Sequence, residues 1–115
     1  MECPLDYSLC DQVVTCYRFA DGKVVRSVLE GVLYHYRSGS YTDEQGVVHQ
    51  REFSLIAPRK ADFLPGDRII AGIGPEITPS QWGSFLPRCV EGLSQVRYVK
   101  PYYWRGQLCH CEVSG

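Results

Sequence analysis

The sequence has almost no excess charge of either sign, with 12 Lys and Arg against 13 Asp and Glu and a formal net charge of −1. Proteins that bind duplex DNA as single copies normally carry a basic excess, because they neutralise phosphates and release counterions. Its absence argues against duplex binding by one copy. Long hydrophobic runs are also lacking, since the longest uncharged apolar stretch, residues 69–74, is too short to cross a bilayer.

Recognisable catalytic motifs are missing as well. The sequence contains no serine nucleophile elbow, no Walker loop and no dinucleotide-binding fingerprint. The glycines of residues 72–74 are followed by Pro75, which removes an amide donor, and no lysine of a phosphate-binding loop follows. The acidic residues are scattered without the spacing of a carboxylate pair. We therefore expect a protein that is not an enzyme and needs no cofactor.

Six cysteines are the one compositional oddity: Cys3, Cys10, Cys16, Cys89, Cys109 and Cys111. The first residues lack the basic and apolar regions of a signal peptide, so a reducing cytoplasm and free thiols are expected. A zinc site is the alternative, with Cys109 and Cys111 as its first ligands. In an extended strand these two residues share one face while His110 points to the other, which disfavours that alternative. A Cys–His nucleophile pair is allowed by composition but has no specific spacing.

Hydrophobic periodicity indicates an all-β protein. Alternation over residues 13–19 predicts a strand, Asp21-Gly22 predicts a hairpin turn, and residues 24–36 continue as a second strand that Gly31 interrupts at a bulge. Further strands are predicted over residues 47–57 and 68–71, with a type II turn at residues 64–67 between them.

The remainder of the chain predicts one short helical turn at residues 79–82 and two closing strands, near residues 95–103 and 107–113. With 115 residues the chain has room for one domain. We predict an N-terminal arm over residues 1–11 and, over residues 12–115, a small, strongly bent antiparallel β-barrel, because closure protects strand edges.

A polar, glycine-bounded segment without apolar period follows the second predicted strand, and we interpret it as a long exposed loop. Its members are Arg37, Ser38, Gly39, Ser40, Tyr41, Thr42, Asp43, Glu44, Gln45 and Gly46.

Aromatic residues are clustered near the C-terminal end of the sequence. Core and subunit interface is the interpretation we favour for this cluster, because Tyr and Trp are enriched in both places. A small OB-like module that stacks single-stranded bases on the same side chains is the alternative. The candidate interface residues are Tyr98, Tyr102, Tyr103, Trp104 and Arg105.

The order of these landmarks resembles that of the minor-capsid, head–tail connector proteins of tailed phages, over roughly residues 12–115. The similar segments are the strand Val14–Arg18, the Asp21-Gly22 turn, the strand Val28–Tyr34, the strand Phe53–Pro58, the Pro65-Gly66-Asp67 turn with its strand to Gly72, and the closing Leu108–Gly115. Cys111 stands where those proteins usually have an aromatic residue.

The resemblance implies a structural neck component of head-closure or stopper type in the virion, assembled in the cytoplasm of a bacterial host. Such a protein is a small β-barrel in a homo-oligomeric ring between the portal or adaptor protein and a tail-completion or tail-tube protein. Double-stranded DNA passes without sequence-specific binding, and no membrane, metal or catalytic residue is involved. Residues 37–46 correspond to the loop that faces the channel or a partner.

Overall fold

A computed structural model describes residues 6–60 and 62–115; at residues 38–41, 43 and 48–51 only the backbone is described. It contains seven strands and one short 3-10 helix at Pro79–Ser84. The strands are β1 (Gln12–Ala20), β2 (Lys23–Asp43), β3 (Gly46–Pro58), β4 (Arg68–Ala71), β5 (Leu93–Gln95), β6 (Tyr98–Trp104) and β7 (Gln107–Ser114).

The strands form one antiparallel sheet in the order β5-β4-β1-β2-β3-β7-β6, which curls into a half-barrel. The predicted all-β class and bent antiparallel sheet are confirmed. The edge strands of the sheet, β5 and β6, follow each other directly in the chain, with only Val96 and Arg97 between them. Strand β5 was not predicted, because three residues are too few to show a period.

The Asp21-Gly22 hairpin turn lies where it was predicted, and a turn of the same type joins β6 and β7 at Arg105-Gly106. Asp21 and Gly22 have φ values of 52° and 73°, and Arg105 and Gly106 have values of 49° and 80°. Positive φ at both central positions is the type I′ geometry, whose twist matches that of the flanking strands. These turns fix the register of β1 on β2 and of β6 on β7.

Gly31 forms the predicted bulge in β2, with φ of 72°. The pairing with β1 skips this residue, because Gln12 pairs with Val32 while Val13 pairs with Glu30. One extra residue reverses which side chains face inward, so Leu29 is buried before the bulge and Val32 after it. Val28 therefore does not share a face with Val32, although they have the same parity in the sequence.

Two hydrophobic cores lie on opposite sides of the β1 region of the sheet. The larger core fills the inside of the curl and includes Val14, Leu55 and Val113. The smaller core contains Tyr17, Phe85 and Leu93 and packs the segment around the 3-10 helix against the outer face. This second layer explains how a chain without long helices buries both faces of a strand.

The segment between β4 and the 3-10 helix is fixed to β1 by polar contacts. The Thr15 hydroxyl donates to the Gly72 carbonyl at 2.8 Å and accepts from the Gly74 amide at 2.9 Å. The Tyr17 hydroxyl donates to the Pro75 carbonyl at 2.5 Å. A Cβ atom at Gly74 would overlap the Tyr17 hydroxyl and the side chain of Ile70.

We therefore expect Gly74→Ala to lower the free energy of unfolding by about 3 kcal/mol, because fully buried Tyr17 has no room to move aside. Chemical denaturation followed by tryptophan fluorescence measures this change. Gly83→Ala is the matched control, since a Cβ at Gly83 meets no atom within 4 Å. Equal stability of the two variants would contradict the packing described for Gly74.

The prediction of a loop over residues 37–46 is wrong. Strand β2 continues to Asp43, and β3 starts at Gly46, so only Glu44 and Gln45 lie between the two strands. Pairing is continuous from Leu33 with Ile56 to Asp43 with Gly46. Sequence periodicity misses this part of the hairpin because its described side chains are exposed, and strand pairing without burial requires no apolar alternation.

Candidate functional site

The outer part of the β2–β3 hairpin projects from the half-barrel as an arm, which we define as residues 37–52. Its base is marked by the pair Tyr36–Phe53, the last pair that contributes to the larger core. Seven residues of β2 extend beyond that pair, or about 23 Å of strand. The arm makes the molecule 51 Å long and raises the radius of gyration to 15.6 Å, above the roughly 13 Å of a compact chain of this length.

The tip of the arm is exposed wherever its side chains are described. Of the residues in the segment predicted to contact a partner, Arg37, Thr42, Glu44, Gln45 and Gly46 are exposed. Val47, the next residue, is an apolar side chain with 63% exposure. The side chains of Ser38, Gly39, Ser40, Tyr41 and Asp43 lie outside the described residues. The described residues of the arm thus form a narrow polar tip that adjoins the exposed apolar side chain of Val47.

The C-terminal aromatic cluster lies on the edge strand β6 and in the β6–β7 turn. Tyr98, Tyr103 and Trp104 are 69%, 62% and 42% exposed. Arg105 lies over the Trp104 ring at 5.5 Å, and Lys100 lies over the Tyr102 ring at 5.1 Å. The structure therefore gathers the predicted interface residues on one free sheet edge, except that Tyr102 is partly buried. Pro101 lies in this edge strand and has no amide donor, which limits uncontrolled strand pairing.

Tyr102 is partly buried because it takes part in an aromatic stack on His110. The rings of Tyr102 and His110 are stacked with centroids 4.7 Å apart, and Tyr7 meets the same imidazole edge-on at 5.4 Å. A hydrogen bond of 2.6 Å joins the Tyr7 hydroxyl and His110 Nδ1. Tyr7, which lies in the predicted N-terminal segment of residues 1–11, thus covers the outward face of β7 at this point. The sequence pattern placed His110 outward but contained no signal for what covers it.

A polar network is centred on Asp67, which is buried with 2% exposure. Its carboxylate accepts hydrogen bonds from Arg18 Nε at 2.8 Å and Nη2 at 2.7 Å, and from the Leu64 amide at 3.0 Å. These bonds raise the pKa of the Arg18 guanidinium. Arg18 also donates to the Asp62 carbonyl, so the network ties the turn before β4 to β1.

The Cys16 thiol lies beside this network, next to a small cavity of about 200 Å³. Burial raises its pKa to about 12, and the negative charge of Asp67 adds to the shift. Burial also raises the pKa of the Cys111 thiol. Because the thiolate is the reactive form, both cysteines are inert while the protein is folded. These are packing residues and not nucleophiles.

We expect a thiol reagent at pH 8 to modify exposed Cys89 in the native protein and to leave Cys16 and Cys111 unmodified. With a pKa of about 12, only about one Cys16 thiol in 10⁴ is a thiolate at that pH, and burial also limits the access of the reagent. Mass spectrometry of tryptic peptides before and after denaturation measures the difference. Modification of Cys16 at the rate of Cys89 in the folded chain would contradict its burial.

Cys109 is disulfide-bonded, which corrects the prediction that all six cysteines are free thiols. Cys10, Cys16, Cys89 and Cys111 are free, and Cys3 lies outside the described residues. The zinc alternative thereby loses Cys109 as a thiolate ligand. Across residues 6–60 and 62–115, no group of three or more His, Cys, Asp or Glu side chains is arranged to hold a metal ion.

A groove of about 680 Å³ lies where β5 approaches the ends of β3 and β7, and we call it the seam groove. Buried Phe53, Leu93 and Ser94 contribute to its wall, together with exposed Arg88 and Arg97. The sequence alone does not predict this groove. The groove depends on contact between β3 and β5. Because 34 residues lie between the end of β3 and the start of β5, this contact leaves no pattern in the local sequence.

Comparisons with protein-family models, with curated proteins and with solved structures find no match to this chain. Among its described residues, no helix has the length and apolar character needed to span a membrane. The surface features of the described residues that bear on function are the arm, the seam groove and the aromatic edge, which is formed by Tyr98, Tyr103 and Trp104 on β6.

Proposed function

We propose that this protein is a structural neck component of a tailed phage, of head-closure or stopper type, that forms a homo-oligomeric ring between the portal or adaptor and the tail. The observation that carries the proposal is the arm. It is a paired hairpin that extends about 23 Å from the core in the segment that the family resemblance assigns to partner contact. A projecting element that buries no core surface of its own is suited to contact a neighbour.

The size and charge of the chain fit this role. A body with extents of 51 × 39 × 21 Å cannot enclose a duplex, so a conduit for DNA requires several copies. A formal net charge of −1 avoids a strongly basic lumen that would retain the passing phosphates. The free sheet edges β5 and β6 offer surfaces for contacts between copies.

The genomic neighbourhood of the coding sequence tests this proposal. We expect genes for a portal protein, an adaptor and a tail-tube protein beside it, because neck components are assembled from a common morphogenesis cluster. A coding sequence surrounded by unrelated genes would contradict the proposal.

Binding of single-stranded nucleic acid is the second candidate, and the aromatic edge favours it. Tyr98, Tyr103 and Trp104 are exposed beside Lys100 and Arg105, the combination that stacks bases and attracts phosphates. Fluorescence titration with oligonucleotides distinguishes the two functions. The neck proposal predicts only weak, salt-sensitive binding. Micromolar affinity at physiological salt that is lost in Trp104→Ala would favour the second candidate.

A further inference from the structure

The seam groove is basic and partly apolar. Phe53 and Leu93 are buried in its wall with 5% and 0% exposure, and Arg88 and Arg97 stand exposed beside them. Among the described residues, no Asp or Glu side chain lines the groove, and Gly115 contributes its main chain to the wall. Within the part of the chain that the structure describes, neither guanidinium has a side-chain hydrogen bond or an ion pair. The groove is thus matched to a segment that carries an acidic side chain next to an apolar one.

The tip of the arm has this chemistry. Glu44 is exposed, Val47 is an apolar residue with 63% exposure, and Asp43 supplies a second acidic residue in the adjoining sequence. The tip is narrow, because only two residues separate its paired strands. A two-stranded tip is therefore suited to entering a groove of about 680 Å³.

The tip cannot reach the groove of its own chain. Phe53 lines the groove and also forms the base of the arm, where it pairs with Tyr36. Continuous pairing from that base to the pair Asp43–Gly46 holds the tip about 23 Å away. Only a second copy brings the tip and the groove together.

We propose that the arm tip of one copy docks into the seam groove of the next, with Glu44 between Arg88 and Arg97 and Val47 against the apolar wall. The contact is heterologous, because it joins different surfaces of the two copies, and each copy keeps a free tip or a free groove for the next. That successive contacts of this kind close into a ring rests on the proposed function. The pairwise contact rests only on the arm and the groove.

Sedimentation velocity of the full chain over a concentration series tests the contact. We expect concentration-dependent association of the wild type that weakens in 0.5 M salt (roughly a 4 Å Debye length), because the contact includes ion pairs. Glu44→Lys, and separately the double variant Arg88→Glu with Arg97→Glu, each weaken association by about 100-fold or more, since like charges then face each other.

Mixing the variants is the decisive experiment. The Glu44→Lys variant and the Arg88→Glu, Arg97→Glu variant carry tips and grooves of opposite charge, so we expect an equimolar mixture to associate while each variant alone is monomeric. Glu30→Lys is the matched control, because it makes the same charge change at an exposed position of β2 outside the arm and the groove. Its association should equal that of the wild type.

A wild type that stays monomeric at about 1 mM (association weaker than roughly 4 kcal/mol), or a mixture that stays monomeric, would overturn the inference. Circular dichroism of each variant confirms that the fold is intact, since all the substituted side chains are exposed. The outcome is independent of the genomic test. If the gene lies in a morphogenesis cluster but the protein does not self-associate, the neck function stands and this contact is overturned. If the protein self-associates but its gene lies among unrelated genes, this contact stands and the neck function is overturned.

Discussion

We expect a chain in which residues 38–51 are replaced by Asn-Gly to fold with an unfolding temperature within about 3 °C of the wild type and to lose the proposed assembly. The replacement joins Arg37 to Glu52, which are cross-strand partners, through a two-residue type I′ turn. Stability is preserved because the larger core ends at Tyr36 and Phe53, below the cut. Assembly fails because the tip is gone.

Both strands of the arm must be removed together for this result to be interpretable. Deleting only the β2 side of the arm would leave its partner residues in β3 without their hydrogen bonds and would create a new unpaired edge. Differential scanning calorimetry measures the fold, and assembly is measured with the portal or adaptor protein as partner. Loss of the cooperative transition would show that the arm belongs to the core, contrary to the structure described above.

The second large effect is expected at Asp67. Asp67→Ala removes the carboxylate that accepts from Arg18 and from the Leu64 amide, and it leaves a partly buried guanidinium without its partner. We expect a loss of about 3 kcal/mol in the free energy of unfolding. For a domain of this size this corresponds to a fall of roughly 10–15 °C in Tm.

Asp62→Ala is the matched control, because Asp62 is exposed and its hydrogen bond with Arg18 is made by the main-chain carbonyl, which the substitution keeps. Its stability should remain within about 0.5 kcal/mol of the wild type. The double variant Arg18→Met with Asp67→Leu should be more stable than Asp67→Ala alone, because neither charge is then left unpaired. Equal losses for Asp62→Ala and Asp67→Ala would refute the role given to the Asp67 carboxylate.

Local chemistry predicted much of this fold. The Asp21-Gly22 turn, the bulge at Gly31, the Leu64–Asp67 turn and strand β4 follow from residue types that allow few backbone conformations or from alternation over a buried face. Gly66 has φ of 97°, and the Asp67 amide donates to the Leu64 carbonyl, as a type II turn requires.

Long-range contacts account for what the sequence did not reveal. The arm is held by cross-strand pairing, and its described side chains are exposed, so its polar residues have the same sequence pattern as a loop. The cover over His110 comes from Tyr7, which is 103 residues away in the chain. The seam groove likewise joins residues from four separate parts of the chain, around Phe53, Arg88, Ser94 and Gly115. The clustering of aromatic residues near the C-terminal end was visible in the sequence, whereas their position on the edge strand β6 and the seam groove were not.

Mass spectrometry of gradient-purified phage particles tests the proposed neck function most directly. If this chain is a neck component, its peptides are present together with portal and tail-tube proteins. Their molar ratio to the portal protein is constant, as a ring requires. Particles that contain portal and tail-tube proteins but lack this chain would contradict the account.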